Sequence, residues 1–229
     1  MKAIILAGGL GTRLKEEVPN LPKPMAPIGT RPFLEILMNQ LNRANFTEVT
    51  ICISYKGEII KEYFKDKYKD IKIIYSYEKY PLGTGGAIKQ ALEKYKNDNE
   101  DIFILNGDSF SDLDLLKMSE FHRKNHFKLT IALKEMKEFD RYGSVEVDAF
   151  NQVIKFNEKI FLKKGLINSG IYVTTPAITR YFPEQEVFSF ENDFLNVLYK
   201  DITFGGYKEN GFFIDIGIPE DYLKAKEYL

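Results

Sequence analysis

The sequence of 229 residues has one cysteine, two histidines and no long apolar run. Cys52 therefore has no partner for an internal disulfide, and its place in the run VTICI predicts a small core residue. No apolar run approaches the roughly 18 residues of a membrane-spanning helix, so we expect no contact with a membrane. The apolar run after Met1 and Lys2 is too short for the core of a signal peptide. These absences predict a cytoplasmic protein.

The chain also lacks an excess of charge of either sign. Lysine and arginine number 32 and the acidic residues 33, so the formal net charge is −1. This balance argues against a nucleic-acid-binding protein with a basic surface. It does not exclude a protein that binds a nucleotide, because such binding needs only a few local cations. Hydrophobic residues make up 44% and charged residues 28%, which is ordinary for a globular protein.

Strand and helix patterns alternate along the first half of the chain. Buried-strand patterns at 3–7, 47–54, 71–75 and 101–105 are separated by helical patterns at 33–44, 56–68 and 87–95. This alternation predicts an α/β fold with a mainly parallel sheet flanked by helices. From residue 127 onward, strand patterns follow one another, and the alternating segment 143–147 predicts a half-exposed antiparallel strand. We expect one domain, 1–229, with halves at about 1–135 and 136–229.

A glycine-rich turn follows the first strand pattern. Gly8, Gly9 and Gly11 let the backbone turn sharply, and N–H groups exposed in such a turn bind anions. Arg13 adds a planar cation that suits phosphate, and Lys23 stands between two prolines. The P-loop pattern fails because no lysine precedes Ser or Thr, and the dinucleotide pattern lacks its third glycine. The turn therefore predicts a polyphosphate site, since a bare turn would need neither cation.

Three acidic residues lie at or after the strand pattern 101–105. Asp108 comes directly after this strand, where a carboxylate suits Mg²⁺ and substrate phosphates; an aspartate that caps a turn is the alternative. Asp112 and Asp114 form an Asp-x-Asp element, a metal signature in many glycosyltransferases. Apolar residues at helical spacing follow it, so we favour a helix N-cap. For His122 and His126, four residues apart on that helix, we favour a solvated helix end over a metal pair.

The segment GGLGTR, with Lys23 of PKPM ten residues after Arg13, resembles the signature of the sugar-1-phosphate nucleotidylyltransferases. These enzymes join a nucleoside triphosphate to a sugar 1-phosphate and release pyrophosphate. LGTGGA, NGD, NSGIY and FIDIGIPEDY extend the resemblance from residue 6 to 222. Ile160 replaces a proline and Ile218 a threonine of the family pattern. The resemblance implies a Rossmann-like mixed, mainly parallel sheet flanked by helices, with a smaller antiparallel sugar-binding lid, a GT-A-like nucleotidyltransferase fold.

The same resemblance implies roles for particular residues. It implies catalysis by Arg13, Lys23 and Asp108, and a Mg²⁺ ion held by Asp108 and Asp215. The nucleotide is expected to contact Leu6, Ala7, Gly8, Gly9, Gly11, Thr12, Arg13, Lys23, Glu78, Gly83, Thr84 and Gly85. The sugar phosphate is expected to contact Asn106, Tyr142, Gly143, Glu158, Lys159 and Asn168.

The short length, PKPM and LGTGGA are most similar to bacterial guanylyltransferases that use D-glycero-α-D-manno-heptose 1-phosphate. The expected partners are therefore GTP and that sugar 1-phosphate, for surface polysaccharide synthesis, with no nucleic acid; a homodimer is one option for the assembly. Mannose-1-phosphate guanylyltransferases and N-acetylmuramate-1-phosphate uridylyltransferases are alternatives within the family. A non-catalytic subunit that binds a nucleotide sugar would not need both carboxylates and both cations. A glycosyltransferase that used Asp112 and Asp114 would leave Arg13 and Lys23 unexplained.

Overall fold

A computed structural model of the protein describes residues 1–9, 11–14 and 16–229, with Thr12 described by its backbone alone. The strands are β1 (Lys2–Leu6), β2 (Pro27–Ile28), β3 (Arg31–Pro32), β4 (Glu48–Ile53), β5 (Lys67–Tyr68), β6 (Ile71–Tyr77), β7 (Ile102–Asn106), β8 (Ser109–Ser111), β9 (Leu129–Phe139), β10 (Val145–Val147), β11 (Val153–Phe156), β12 (Leu162–Thr174), β13 (Phe204–Glu209) and β14 (Phe213–Asp215).

The helices are α1 (Phe33–Arg43), α2 (Gly57–Phe64), α3 (Gly83–Leu92), α4 (Leu115–Lys124), α5 (Asn196–Leu198) and α6 (Pro219–Tyr228). Short 3-10 turns lie at Thr12–Leu14, Lys23–Met25, Glu93–Tyr95 and Pro176–Tyr181, and a π-helical segment at Phe190–Leu195. None of the helices in the described residues is long and apolar enough to cross a membrane.

One eight-stranded sheet, in the order β13-β9-β12-β7-β1-β4-β6-β5, organises the fold. Strands β7, β1, β4 and β6 are parallel, while β12 is antiparallel to both of its neighbours. Leu6 at the end of β1 lies opposite Asn106 at the end of β7. Because parallel strands end at the same edge of a sheet, the glycine turn and the NGD segment begin side by side.

The sheet separates two hydrophobic cores, as the near-continuous apolar strands require. Ala3 and Ile5 of β1 face the core that contains residues of α1, α2, α4 and α6. Ile4 faces the other core, which contains residues of α3 and the π-helical segment. In that second core the rings of Phe190 and Phe194 stack with centroids 5.2 Å apart. Both faces of the sheet are therefore covered by helical segments.

The predicted fold class is confirmed, with a smaller antiparallel part beside the sheet. There β9 and β12 continue as an antiparallel pair to Phe139 and Leu162, and β10 pairs with β11. The helix predicted to reach residue 68 ends at Phe64, because Lys65 has a positive φ of 54° and residues 67–68 form β5. The predicted boundary between the halves at residue 135 falls inside β9, so the two halves share one strand.

His122 is buried, which corrects the predicted solvated helix end. The residue lies on the face of α4 that also buries Leu115, Met118 and Ser119, as the helical period places it. Its Nδ1 is 2.8 Å from Oγ1 of Thr130 on β9. Burial lowers the pKa of His122; the negative charge of Asp101 acts in the opposite direction, and the positive charge of Arg123 acts in the same direction.

Stability should therefore fall at mildly acidic pH. The unfolded chain binds a proton on His122 near pH 6.5, whereas the folded protein binds it only at a lower pH. The stabilisation by the neutral ring is complete above about pH 6.5 and is lost as the pH falls towards the lower pKa of the folded protein. The free energy of unfolding should fall by up to about 1.4 kcal/mol per pH unit more in the wild type than in His122→Gln. Urea unfolding at about pH 7.5 and about pH 5.5 measures this difference.

The control variant is His126→Gln, because His126 is exposed beyond the end of α4. This variant should keep the pH dependence of the wild type. The same pH dependence in the wild type and in His122→Gln would contradict the prediction.

Candidate active site

The glycine turn folds back against the segment that carries Lys23. Gly11 has a φ of +59°, and a Cβ added there would lie 3.0 Å from the Cβ of Lys23. Glycine is therefore favoured by both the backbone conformation and the close approach. Lys23 begins a 3-10 turn between Pro22 and Pro24, and Pro24 and Met25 are buried beneath it. This anchored turn holds the Lys23 ammonium group at the edge of the sheet.

Pairing of β8 with β14 brings Asp108 and Asp215 together. Asp215 lies opposite Ser109 in this antiparallel pair, and the N–H of Ile216 donates to the carbonyl oxygen of Asp108 at 2.9 Å. Nζ of Lys23 lies 2.6 Å from Oδ2 of Asp108 and 3.7 Å from Oδ1 of Asp215. One ammonium group thus bridges two carboxylates from distant parts of the chain.

The charges at this edge are only partly balanced. Burial raises the pKa of Asp215, and the negative charge of Asp108 raises it further. Lys23, the Gly217 N–H at 2.6 Å and Arg13 act in the opposite direction. Two like charges in a partly buried place are stable only with such compensating groups. The arrangement can therefore accept a cation between the carboxylates and anions beside Lys23 and Arg13.

A first cavity of about 370 Å³ lies between the glycine turn, Lys23 and the beginning of α3. Ten of the residues predicted to contact the nucleotide line it: Leu6, Ala7, Gly8, Gly9, Gly11, Arg13, Lys23, Glu78, Gly83 and Thr84. Asp108 lines it as well. Because α3 begins here, its dipole also favours a negatively charged ligand.

Glu78 is a buried carboxylate in the wall of the first cavity. Its Oε2 accepts a hydrogen bond from the N–H of Leu82 at 3.1 Å. Burial raises the pKa of Glu78, and this hydrogen bond acts in the opposite direction. A Cβ on Gly8 would lie 2.5 Å from Oε1 of Glu78, so the glycine turn packs directly against this carboxylate.

A second cavity, of about 510 Å³, adjoins the first and extends under the antiparallel part. All six residues predicted to contact the sugar phosphate line it: Asn106, Tyr142, Gly143, Glu158, Lys159 and Asn168. Asp215 is also in its wall, and Arg13, Asn106 and Gly217 line both cavities. Oδ1 of Asn106 is buried without a hydrogen-bond partner among the described residues. The structure therefore places the Lys23–Asp108–Asp215 cluster where two cavities meet.

Gly85 does not line either cavity, contrary to its predicted contact with the nucleotide. Its N–H donates to the carbonyl oxygen of Phe188 at 3.0 Å, and an added Cβ would overlap the Phe188 ring. Glycine is thus required at residue 85 by packing. Thr12, which is predicted to contact the nucleotide, is described by its backbone alone, and residues Leu10 and Lys15 lie outside the described part of the chain.

The Asp-x-Asp element is a helix cap, as the sequence predicted. Oδ1 of Asp114 accepts a hydrogen bond from the N–H of Lys117 at 3.1 Å, which lowers the pKa of Asp114. Neither Asp112 nor Asp114 lines the two cavities.

Two charged residues of the second cavity were missed by the sequence analysis. Arg141 pairs with Asp221 of α6, and its guanidinium group lies 5.4 Å from the centroid of the Tyr142 ring. Its position next to the Tyr142-Gly143 element was the available signal. Glu191 lies in the π-helical segment, and no motif marked it. Single turns of π-helix are frequent at functional sites, but sequence periodicity does not reveal them.

The chain matches the nucleotidyl transferase family over residues 2–229 and belongs to it. This assignment agrees with a glycine-rich turn after the first strand, two carboxylates bridged by one lysine, and two adjoining cavities in an α/β fold.

Two similar proteins carry the name D-glycero-alpha-D-manno-heptose 1-phosphate guanylyltransferase. The protein from Campylobacter jejuni is 52% identical over 222 residues, which cover 97% of each chain. That from Aneurinibacillus thermoaerophilus is 47% identical over 229 residues, which cover 100% of this chain and 98% of the relative. The crystal structure of HddC from Yersinia pseudotuberculosis matches with a TM-score of 0.87 at 39% identity, covering 99% of this chain and 98% of HddC. HddC in complex with GMP-PN matches with a TM-score of 0.85 at 38% identity, with the same coverage.

The close packing of the glycine turn yields a prediction about stability. In Gly8→Ala the added methyl group would lie 2.5 Å from Oε1 of Glu78 and 3.2 Å from Cβ of Ser54. We expect urea unfolding to show a loss of about 1–3 kcal/mol, as at other overpacked positions. Gly9→Ala is the matched control, because nothing lies within 4 Å of an added Cβ there. Its change should be below about 0.5 kcal/mol, and equal losses in both variants would contradict the prediction.

Proposed function

We propose that the protein transfers GMP from GTP to D-glycero-α-D-manno-heptose 1-phosphate, forming GDP-heptose and pyrophosphate. The main support is that two cavities meet at Lys23, Asp108 and Asp215. The chain that forms them is 52% identical to a protein named D-glycero-alpha-D-manno-heptose 1-phosphate guanylyltransferase. The first cavity would hold GTP and the second the sugar 1-phosphate. We place the reaction in the cytoplasm and its product in surface polysaccharide synthesis.

The proposed reaction is one displacement at the α-phosphorus of GTP. A phosphate oxygen of the sugar 1-phosphate forms the new P–O bond, and the bond to the leaving pyrophosphate breaks. This phosphate is mostly dianionic at pH 7 if its second pKa is about 6, so the protein need not supply a base. Two anions must nevertheless meet and a third must leave. Positioning and charge compensation are therefore the main tasks of the protein.

The positions of the cations suit these tasks. Arg13 lines both cavities, so its guanidinium group can contact phosphates of either substrate. Lys23 would offset negative charge at the α-phosphate, and the backbone of residues 8–12 would hold the triphosphate. Lys159 lines the second cavity and would bind the phosphate of the sugar.

Asp108 and Asp215 would hold the Mg²⁺ ion. Their fit to the ion is chemical: both offer carboxylate oxygens at one point, where Lys23 contacts Asp108 at 2.6 Å but Asp215 only at 3.7 Å. Mg²⁺ characteristically binds one or two carboxylates together with substrate phosphates. The bound ion would supply positive charge that offsets the negative charge developing on the phosphates.

The chemistry of Glu78 supports guanine as the base. A carboxylate only accepts hydrogen bonds, and the guanine edge offers two adjacent donors, the ring N–H and the exocyclic amino group. The uracil edge offers one N–H between two carbonyl acceptors, and these would face the carboxylate unfavourably. Glu78 lines the first cavity and is held in place by the N–H of Leu82. It would therefore favour GTP over UTP.

The role of the Lys23–Asp108 pair can be measured directly. Asp108→Asn and Lys23→Ala should each lower kcat roughly 10²–10³-fold, the range observed when one charge-stabilising group is removed from an active site. The assay measures pyrophosphate release from GTP and the heptose 1-phosphate. UTP in place of GTP, and other sugar 1-phosphates in place of the heptose, form a comparison panel. Circular dichroism should show an intact fold in both variants.

Asp112→Asn is the control for this pair. It removes a nearby exposed carboxylate that lines neither cavity, so activity should stay within twofold of the wild type, which is roughly 0.4 kcal/mol. Near-normal pyrophosphate release by Asp108→Asn and Lys23→Ala would contradict the proposed mechanism. No release by the wild type from GTP and the heptose 1-phosphate would contradict the proposed function.

Glu78→Gln should reduce the preference for GTP. Loss of a hydrogen bond to a charged group predicts a roughly 10–100-fold lower kcat/KM for GTP, with a smaller change for UTP. Glu186→Gln is the matched control, because Glu186 is exposed and lies outside the first cavity. Equal losses for GTP and UTP in Glu78→Gln would show that Glu78 does not recognise the base.

A further inference from the structure

Glu191 occupies an unusual position between the two cavities. It lies in the π-helical segment and lines the second cavity. Its Oε2 accepts a hydrogen bond from Oγ1 of Thr84 at 2.8 Å, and Thr84 lines the first cavity. Oγ1 of Thr84 in turn accepts from the N–H of Phe190 at 2.8 Å. The hydroxyl group of Thr84 is therefore used to position Glu191.

The other carboxylate oxygen of Glu191, Oε1, has only one long hydrogen-bond contact among the described residues. Its contact within the described residues is the hydroxyl group of Tyr172 at 3.4 Å, which is long for an O–H···O hydrogen bond. The Tyr172 oxygen accepts from Nδ2 of Asn168 at 2.8 Å, so its own proton is left for this long contact, and a carboxylate oxygen can accept more than one hydrogen bond. Oε1 of Glu191 therefore keeps acceptor capacity next to Asn168, in the wall of the second cavity.

The chemistry of this wall indicates which part of a ligand it binds. The cations Arg141 and Lys159 line the same cavity and suit the phosphate of a sugar 1-phosphate. The Glu191 carboxylate would repel that phosphate, so the part of the ligand next to it should carry hydrogen-bond donors. Asn192 of the same segment and Asn196, the first residue of α5, also line the cavity, so neutral polar groups flank the carboxylate. Sugar hydroxyl groups are the donors that such a wall would accept.

We infer that Glu191 is a specificity-determining residue that accepts a hydrogen bond from a hydroxyl group of the sugar through Oε1. Its Oε2 stays bound to Thr84, so the LGTGGA segment in the wall of the first cavity holds the sugar-binding carboxylate in place. This inference rests on the proposed function, in that it takes a sugar 1-phosphate as the ligand of the second cavity.

Kinetics of Glu191→Gln test the inference. With saturating GTP, kcat/KM for the sugar 1-phosphate should fall roughly 10–100-fold, as expected for a lost hydrogen bond to a charged group. The dissociation constant of GTP, measured by calorimetry, should change less than twofold. Asp193→Asn is the matched control: Asp193 is an exposed carboxylate of the same segment, bound to the N–H of Ser189 at 2.7 Å and outside the cavity wall. This variant should keep the wild-type kcat/KM.

Monodeoxy analogues of the sugar 1-phosphate identify the hydroxyl group. For the analogue that lacks the hydroxyl bound by Glu191, wild type and Glu191→Gln should have the same kcat/KM. A difference that persists for every analogue would overturn the inference, as would equal losses in Glu191→Gln and Asp193→Asn. The wild type alone decides the proposed function, through its activity on the heptose 1-phosphate. The ratio of variant to wild type, on whichever sugar 1-phosphate is used, decides the role of Glu191.

Discussion

The site depends on one ammonium group held between two carboxylates. Asp108 and Asp215 meet only because β14 pairs with β8, and Lys23 reaches both from a turn anchored by two prolines. Each carboxylate would destabilise the other without that cation, as the raised pKa of Asp215 indicates. The cluster therefore joins three distant segments of the chain, and the close packing of Gly11 on Lys23 adds the glycine turn as a fourth. Phosphate chemistry at this place requires the whole domain to be folded.

The order of strands explains why the cluster lies between two cavities. The parallel strands β1 and β7 end side by side, and their loops form the first cavity with the beginning of α3. Beyond β7 the direction reverses, since β12 is antiparallel to both β7 and β9. These longer strands extend past the sheet and carry the antiparallel part that covers the second cavity. A change from parallel to antiparallel pairing thus separates the first cavity from the second.

Local patterns in the sequence predicted the α/β class, the glycine turn and the cap at Asp114, and the family resemblance named most of the residues that line the two cavities. They succeeded because turn glycines, strand-end carboxylates and helix caps act through neighbours in the chain. The predictions failed where distant contacts decide. His122 is buried because β9 packs on its helix, and Gly85 is required by Phe188 far along the chain. Glu191 carried no signal, because its place depends on a π-helical segment and on a hydrogen bond to a loop more than a hundred residues away.

Glycine is required in the LGTGGA segment for two separate physical reasons. On one side Gly83 lines the first cavity, and on the other side a Cβ at this position would lie 2.5 Å from the carbonyl oxygen of Phe188. Gly85 donates its N–H to the same oxygen. Bare backbone at these positions lets the segment that carries Glu191 approach the loop closely enough for Thr84 to bind its carboxylate. The residues that shape the first cavity therefore also set the position of the Glu191 carboxylate in the second cavity. Changes in this loop should then alter the choice of sugar as well as the binding of the nucleotide, because one backbone segment supports both walls.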